Sequence, residues 1–279
     1  MILLTTISCE WMPGNGSVHL PTDAELKMNS AAPRLSDRIP PPEGFQRIYH
    51  EKLFASFLRT LTLHPHGHLV HLFNGHIKPY QEGQVAVLKM DTGERDLQQC
   101  ADAVMRIRAE YLYHQKKYEA IHFNFTNGFK ADYKRWRRGE SIAVKGTSCQ
   151  WIPSSKANDT YSSFRQYLDI VFAYAGSLSL SKELKPVNEL NHIQPGDVFI
   201  RGGAPGHAAM VMDVAQHPVT HEIVFLLAQS YMPAQEIHIL ANLNDASISP
   251  WYAVRDINET LETPEYTFSR NELMRFEDE

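Results

Sequence analysis

The chain is poor in cysteine. Its 279 residues hold three, Cys9, Cys100 and Cys149, and no two form a CxxC pair. That excludes a disulfide framework and a cysteine-built zinc module, and a chain of this length buries enough core to fold without either. It has no run approaching the ~20 apolar residues that a membrane-spanning helix needs, so it is read as not membrane-spanning. It has no excess of positive charge: 32 acidic side chains against 27 basic ones leave −5. The one basic run, Lys134-Arg135-Trp136-Arg137-Arg138, is too short to make a nucleic-acid footprint, and a nucleic-acid partner is not expected. What remains, 43% hydrophobic and 21% charged with no internal repeat, is the composition of a globular domain, not of collagen, a coiled coil or a disordered chain.

Residues 1–40 are rich in Pro, Gly, Ser, Asn and Asp without a sustained apolar period, and they read as a flexible tail. The opening Met-Ile-Leu-Leu-Thr-Thr-Ile-Ser-Cys is apolar but lacks a basic lead and a small-residue cleavage site, so an export or lipid-attachment signal could be present only in truncated form. A single domain is expected over 41–279. Phe54, Phe57, Leu58 and Leu61 mark one face of a short helix, and Val85-Ala86-Val87-Leu88 a strand. Asp96 with Gln99 three residues on resembles a capping box, which places Cys100 in the first turn of a long helix whose inward face carries Val104, Ile107 and Tyr111.

A strand over 120–125, a polar and aromatic loop reaching Trp151, and a second helix through Phe164, Leu168 and Phe172 ending at Gly176 follow. After these come four strands near 197–200, 208–212, 223–227 and 236–240. Helices first and an antiparallel meander afterwards predict an α+β fold.

Among the cysteines, Cys100 is placed for chemistry. A helix N-terminus and a nearby imidazolium both favour thiolate, the nucleophilic form, and His207 in Pro205-Gly206-His207 stands immediately before a strand. The competing reading makes Cys100 a small buried hydrophobe. Cys149, in a Gly-Thr-Ser-Cys loop, is read as incidental.

The segment Pro195-Gly196-Asp197-Val198-Phe199-Ile200, followed by Gly206-His207-Ala208-Ala209-Met210-Val211, resembles the second half of NlpC-type and CHAP-type papain-like cysteine peptidases and amidases. The resemblance implies a papain-like α+β domain in which Cys100 is the nucleophile and His207 the general base. The orienting role falls to Gln229 on the next strand, with Asp213 on the histidine's own strand as the alternative. The oxyanion candidates are the backbone N–H groups at the helix start and the side chains of Gln98 and Gln99.

It further implies cleavage of an amide bond in peptide or peptidoglycan-like material, no metal or organic cofactor, and an exported or envelope location, with the cytoplasm as alternative. Two features depart from those peptidases: no Asp-Cys-Ser-Gly surrounds Cys100, and the stretch from His207 to Gln229 is longer than the compact members use. From about Arg38 the chain also resembles an uncharacterised bacterial family of unknown function. The shared phrases are Arg95-Asp96-Leu97-Gln98-Gln99-Cys100-Ala101-Asp102-Ala103, Gly196-Asp197-Val198-Phe199-Ile200, Gly206-His207 and Gln229-Ser230-Tyr231-Met232-Pro233-Ala234-Gln235.

Two other readings compete with the hydrolase. A non-catalytic module could hold a glycan or peptide on the same scaffold. A histidine-dependent metal protein is suggested by His64, His66, His68, His71 and His76, but no Cys, Asp or Glu sits among them, and His66 and His68 read as a turn before a strand, so no metal site is expected.

Overall fold

The computed structural model describes residues 28–48, 53–154 and 156–277. Two short helices, α1 (Leu35–Arg38) and α2 (Leu53–Thr60), flank β1 (Gln46–Arg47), and β2 (Gln84–Val87) precedes α3 (Cys100–His114). Then come a hairpin of β3 (His122–Asn124) and β4 (Lys130–Asp132), α4 (Tyr133–Arg137), and a second hairpin of β5 (Glu140–Lys145) and β6 (Ser148–Pro153). Helices α5 (Tyr161–Tyr174) and α6 (Ser177–Glu183) lead through β7 (Lys185–Pro186) to the meander β8 (Val198–Arg201), β9 (His207–Gln216), β10 (Ile223–Gln229) and β11 (His238–Leu240). The chain closes with β12 (Tyr252–Ala253), a hairpin of β13 (Thr260–Glu262) and β14 (Thr267–Ser269), and β15 (Leu273–Arg275).

Nine strands form one antiparallel sheet in the order β2-β11-β10-β9-β8-β15-β7, with β1 added to β9 and β12 to β10. The expected α+β class and meander are both present. Residues of β9 and β10 are buried almost without exception because the sheet is covered on both faces. Ala208, Met210, Met212, Leu226 and Ala228 pack with the helices, while Ala209, Val211, Phe225 and Leu227 pack with Phe268 and Leu261 of the β13–β14 hairpin. This two-sided burial is why these strands read as continuous apolar runs rather than alternating ones.

Helix α3 is buried all round from Ala101 to Leu112, and two of its charged groups, Arg106 and Glu110, pair with each other inside the fold. Arg106 pairs with Glu110 at 2.7 Å and also donates to Asp91 Oδ1 at 3.1 Å and Tyr161 OH at 3.2 Å. Two glycines stand where no Cβ fits. Gly196 has φ +97 and its Cβ would lie 2.7 Å from the Phe54 ring; a Cβ on Gly206 would lie 2.3 Å from Gly203 O. Asp197, of the same Pro-Gly-Asp turn, is fully buried and holds Arg275 of β15 at 2.6 Å.

Several expectations shift. The core begins before residue 41, since Leu35 and Ile39 are buried, and the tail reading applies at most to what precedes them. Residues 1–27, Cys9 and the apolar opening among them, lie outside the described residues. The loop expected up to Trp151 is the β5–β6 hairpin around Gly146-Thr147, and Cys149 sits on its second strand. Gly176 does not close α5, whose C-cap is Ala175; it stands as N-cap of α6.

Candidate functional site

Helix α3 begins at Cys100, with Gln99 as N-cap and Asp102 reaching back to accept the Gln99 N–H at 3.1 Å. Its start is fastened to the end of β10: Ser230 Oγ donates to Gln98 O at 3.0 Å, and Ala234 N–H to Asp96 Oδ1 at 2.6 Å. Asp96 is thus a tether rather than the cap expected of it.

The thiol meets the sheet where two strands part. The β9–β10 ladder ends at the Met210–Ala228 pair. Val211 N–H points to the β8 side, donating to Asp197 O at 2.8 Å, so alternation turns the Ala208 N–H toward β10, beyond that last pair. That N–H is given to the Cys100 sulfur. Cys100 thus meets β9 at Ala208, the residue after His207, with the thiol approaching along the strand edge. No hydrogen bond joins the side chains of Cys100 and His207, both of which are described. The Tyr231 ring lies 4.8 Å from the His207 ring.

His207 Nε2 lies 2.7 Å from Gln229 Oε1. The Gln229 nitrogen bonds Glu265 Oε2 at 2.8 Å, and the same carboxylate oxygen pairs with buried Lys78 at 2.5 Å. A carboxylate only accepts, so the Gln229 amide must present its NH2 to Glu265 and its oxygen to His207. An amide oxygen also only accepts, so His207 carries its proton on Nε2 and keeps the lone pair on Nδ1. His238 completes the group: its Nδ1 donates to Glu236 O at 2.9 Å, leaving Nε2 to face the Gln229 nitrogen at 3.5 Å.

Burial dominates the electrostatics. It pushes the Cys100 thiol up to about 11, with the Asp102 carboxyl adding to the rise and backbone N–H groups of Ala101 and Ala208 opposing it. It brings His207 down to about 4 against the Gln229 hydrogen bond, and His238 down to about 3, with Lys78 adding to both. The thiolate favoured by a helix start is thus not the resting form, because desolvation outweighs the helix terminus here. Thiol and imidazole both rest neutral, and the His207 lone pair is on Nδ1.

The other expected residues lie elsewhere. Asp213 is fully buried and bonded to Arg47 Nε at 2.5 Å and Arg59 Nε at 2.7 Å, fixing β1 and α2 to β9 rather than orienting His207. Gln98 Oε1 accepts from Arg106 at 3.0 Å while its Nε2 is buried without a partner, and Gln99 Nε2 is held by Asp96 at 3.0 Å. Gln98 Nε2 is thus a donor with its hydrogens unused, and the backbone N–H groups of the first turn lie at the same helix start.

Sequence reasoning missed Glu265, Lys78 and His238. The first two stand in turn-rich segments with no periodicity to mark them. His238 carried a signal, since strand alternation puts 236 and 238 on one face. The histidine tract also differs from its reading: Glu236, remote in sequence, lies among His64, His68 and His71.

A model of the family described as Domain of unknown function (4846) matches residues 35–275. No curated protein and no solved structure matches the chain. The match agrees with the resemblance to an uncharacterised family and adds nothing for the NlpC-type and CHAP-type peptidases. From the first buried helix to the last strand of the sheet, the chain belongs to the DUF4846 family.

Proposed function

We propose that the protein is a thiol-dependent amidohydrolase of papain-like design, with Cys100 as nucleophile, His207 as general base and Gln229 as the residue that orients the imidazole. The observation that carries this reading is the His207–Gln229 hydrogen bond of 2.7 Å, polarised by Glu265 so that Nδ1 is the basic nitrogen, on the strand whose next residue, Ala208, gives its N–H to the thiol at the helix start. The chain order of the three residues and the placement of the helix start against the histidine strand support the papain-like comparison. Peptide amides of cell-wall type are the substrate class to try first, in keeping with the resemblance.

Because thiol and imidazole both rest neutral, the proton moves as the bond forms. Cys100 Sγ attacks the amide carbon while its proton passes to His207 Nδ1, and the oxyanion meets backbone N–H groups of the first turn. The protonated Nδ1 then gives its proton to the departing amine, leaving a thioester. Water, deprotonated by the same Nδ1, releases the acid and the thiol.

The test is the pH profile of Cys100 alkylation by iodoacetamide, read by peptide mass, alongside release of amine from a muropeptide digest. The wild type is expected to show one step near pH 4, where His207 becomes able to take the proton, and a second rise toward pH 11. His207→Ala keeps only the second rise and lowers amide turnover by about 10²–10⁴-fold. A native thiol that is inert until unfolding, with no amide released, would refute the hydrolase.

One observation favours a binding module instead: His207 is almost fully buried beneath Tyr231, Tyr266 and Phe268. That reading predicts muropeptide binding undiminished in Cys100→Ala.

A further inference from the structure

The loop after α2 returns to the sheet as an irregular ribbon beside the segment that leads into β11. Glu236 N–H donates to His71 O at 2.9 Å, Phe73 N–H to Ala234 O at 2.8 Å, and Leu72 bridges Gln235. At its other end His64 N–H donates to Val87 O at 2.8 Å, and Arg38 holds His64 O at 2.5 Å. The imidazoles on this ribbon are therefore carried by fixed backbone.

Three of them surround one carboxylate. His68 Nε2 lies 3.1 Å from both Glu236 oxygens, His64 Nε2 3.5 Å from Oε1, and His71 Nδ1 3.1 Å from Oε2, which also accepts the His71 N–H at 2.8 Å. The His64 and His68 rings are stacked, centroids 4.0 Å apart and 7° from parallel, with both Nε2 atoms turned to the same acid. Donor atoms of His64, His68 and Glu236 all lie within 4.8 Å of one another. A tetrahedral ion with bonds of about 2.0–2.1 Å holds its donors roughly 3.3 Å apart, against 3.1 Å from His68 and 3.5 Å from His64 to Glu236, and the stacked rings need only turn about their side-chain bonds to aim both Nε2 lone pairs at it.

We infer that His64, His68 and Glu236 form a binding site for a divalent transition metal of the zinc class. Two imidazoles and one carboxylate suit zinc and its neighbours, whereas calcium and magnesium require an oxygen shell. His71 acts from outside the coordination shell: its N–H and Nδ1 hold Oε2, so that Oε1 faces the ion. Three protein donors leave a fourth position for water or a ligand atom. The site is independent of Cys100 and stands whether or not the amidohydrolase reading does.

The test uses the tag-free full chain, stripped with chelator and dialysed. Zinc affinity is measured by competition with a chromophoric chelator, stoichiometry by elemental analysis after gel filtration, and geometry from the visible spectrum with Co2+. Wild type is expected to bind one equivalent and to give a four- or five-coordinate cobalt spectrum. His68→Ala and Glu236→Gln should bind at least about 100-fold more weakly, His71→Ala about 10-fold, and His76→Ala, an exposed neighbour, like wild type. Circular dichroism checks that each variant folds, and near-isosteric Glu236→Gln carries the test should an alanine variant fail to. No stoichiometric zinc in wild type, or equal affinity in wild type, His68→Ala and Glu236→Gln, would overturn the site.

Discussion

Two polar clusters lie a few residues apart along one segment, and they treat their histidines in opposite ways. Around Gln229, His207 and His238 are sealed into the sheet, and each ring is committed to a named partner and tautomer. Around Glu236, His64, His68 and His71 stay partly open to solvent, and three rings compete for one carboxylate. Burial fixes direction: it suppresses charge and turns a histidine into an aimed lone pair. Partial exposure with an excess of donors leaves coordination capacity that the protein itself does not use up. The first arrangement suits proton transfer and the second suits an ion.

The strongest way to break the comparison is acid. His207 and His238 have folded-state values of about 4 and about 3, against 6.5 when unfolded. Below pH 6.5 the unfolded chain takes up protons that the native chain refuses. Stability is therefore full above pH 6.5 and is lost as pH falls through the native values. The loss over that window is expected to be on the order of 5 kcal/mol, read as a falling urea midpoint, and His238→Gln should flatten the curve. A midpoint constant from pH 7 to pH 4 would mean these rings are not held neutral.

Next in size is Glu265. Replacing it by Gln removes the charge partner of buried Lys78 and puts an amide, able to offer oxygen or NH2, in place of the acceptor-only carboxylate that sets the Gln229 amide. Stability should fall by about 3 kcal/mol, recovering largely when Lys78→Met is added, because an unpaired buried charge is worse than an apolar pair. In the same variant the Gln229 amide is free to turn over, and the acid step in Cys100 alkylation should shrink. Unchanged stability in Glu265→Gln would show that the carboxylate is not the anchor of the cluster.

The buried cluster was half legible in the sequence for a physical reason. Cys100, His207 and Gln229 sit at ends of regular elements, where apolar period and turn residues mark a boundary, so their placement follows from local pattern. Lys78 and Glu265 meet across 187 positions, and His68 and Glu236 across 168, without periodicity at either end. Asp213 and Asp197 were visible as acids in strands, but only the packed fold shows that arginines have claimed them. The β5–β6 hairpin was readable, since Ile142 and Val144 alternate before Gly146-Thr147 and Ile152 and Trp151 pair back across it. The polar run Ser148-Cys149-Gln150 hid the start of the second strand.

The smallest effect concerns the joint between helix and sheet. Ser230, fully buried directly after Gln229, has its hydroxyl 3.0 Å from Gln98 O and 2.8 Å from Gln235 O. It ties the turn before Cys100 to the strand that carries Gln229, and on its far side to the residue before Glu236. Ser230→Ala leaves both carbonyls in place and should cost only about 1–2 kcal/mol, a lowering of the melting temperature by a few degrees. If the hydroxyl serves positioning, Cys100 alkylation near neutral pH should fall by more than that stability loss accounts for, while zinc affinity at His64, His68 and Glu236 stays as in wild type. Equal loss at both clusters would mean that the segment 229–236 moves as one piece, and that the buried and the exposed histidines are coupled through it.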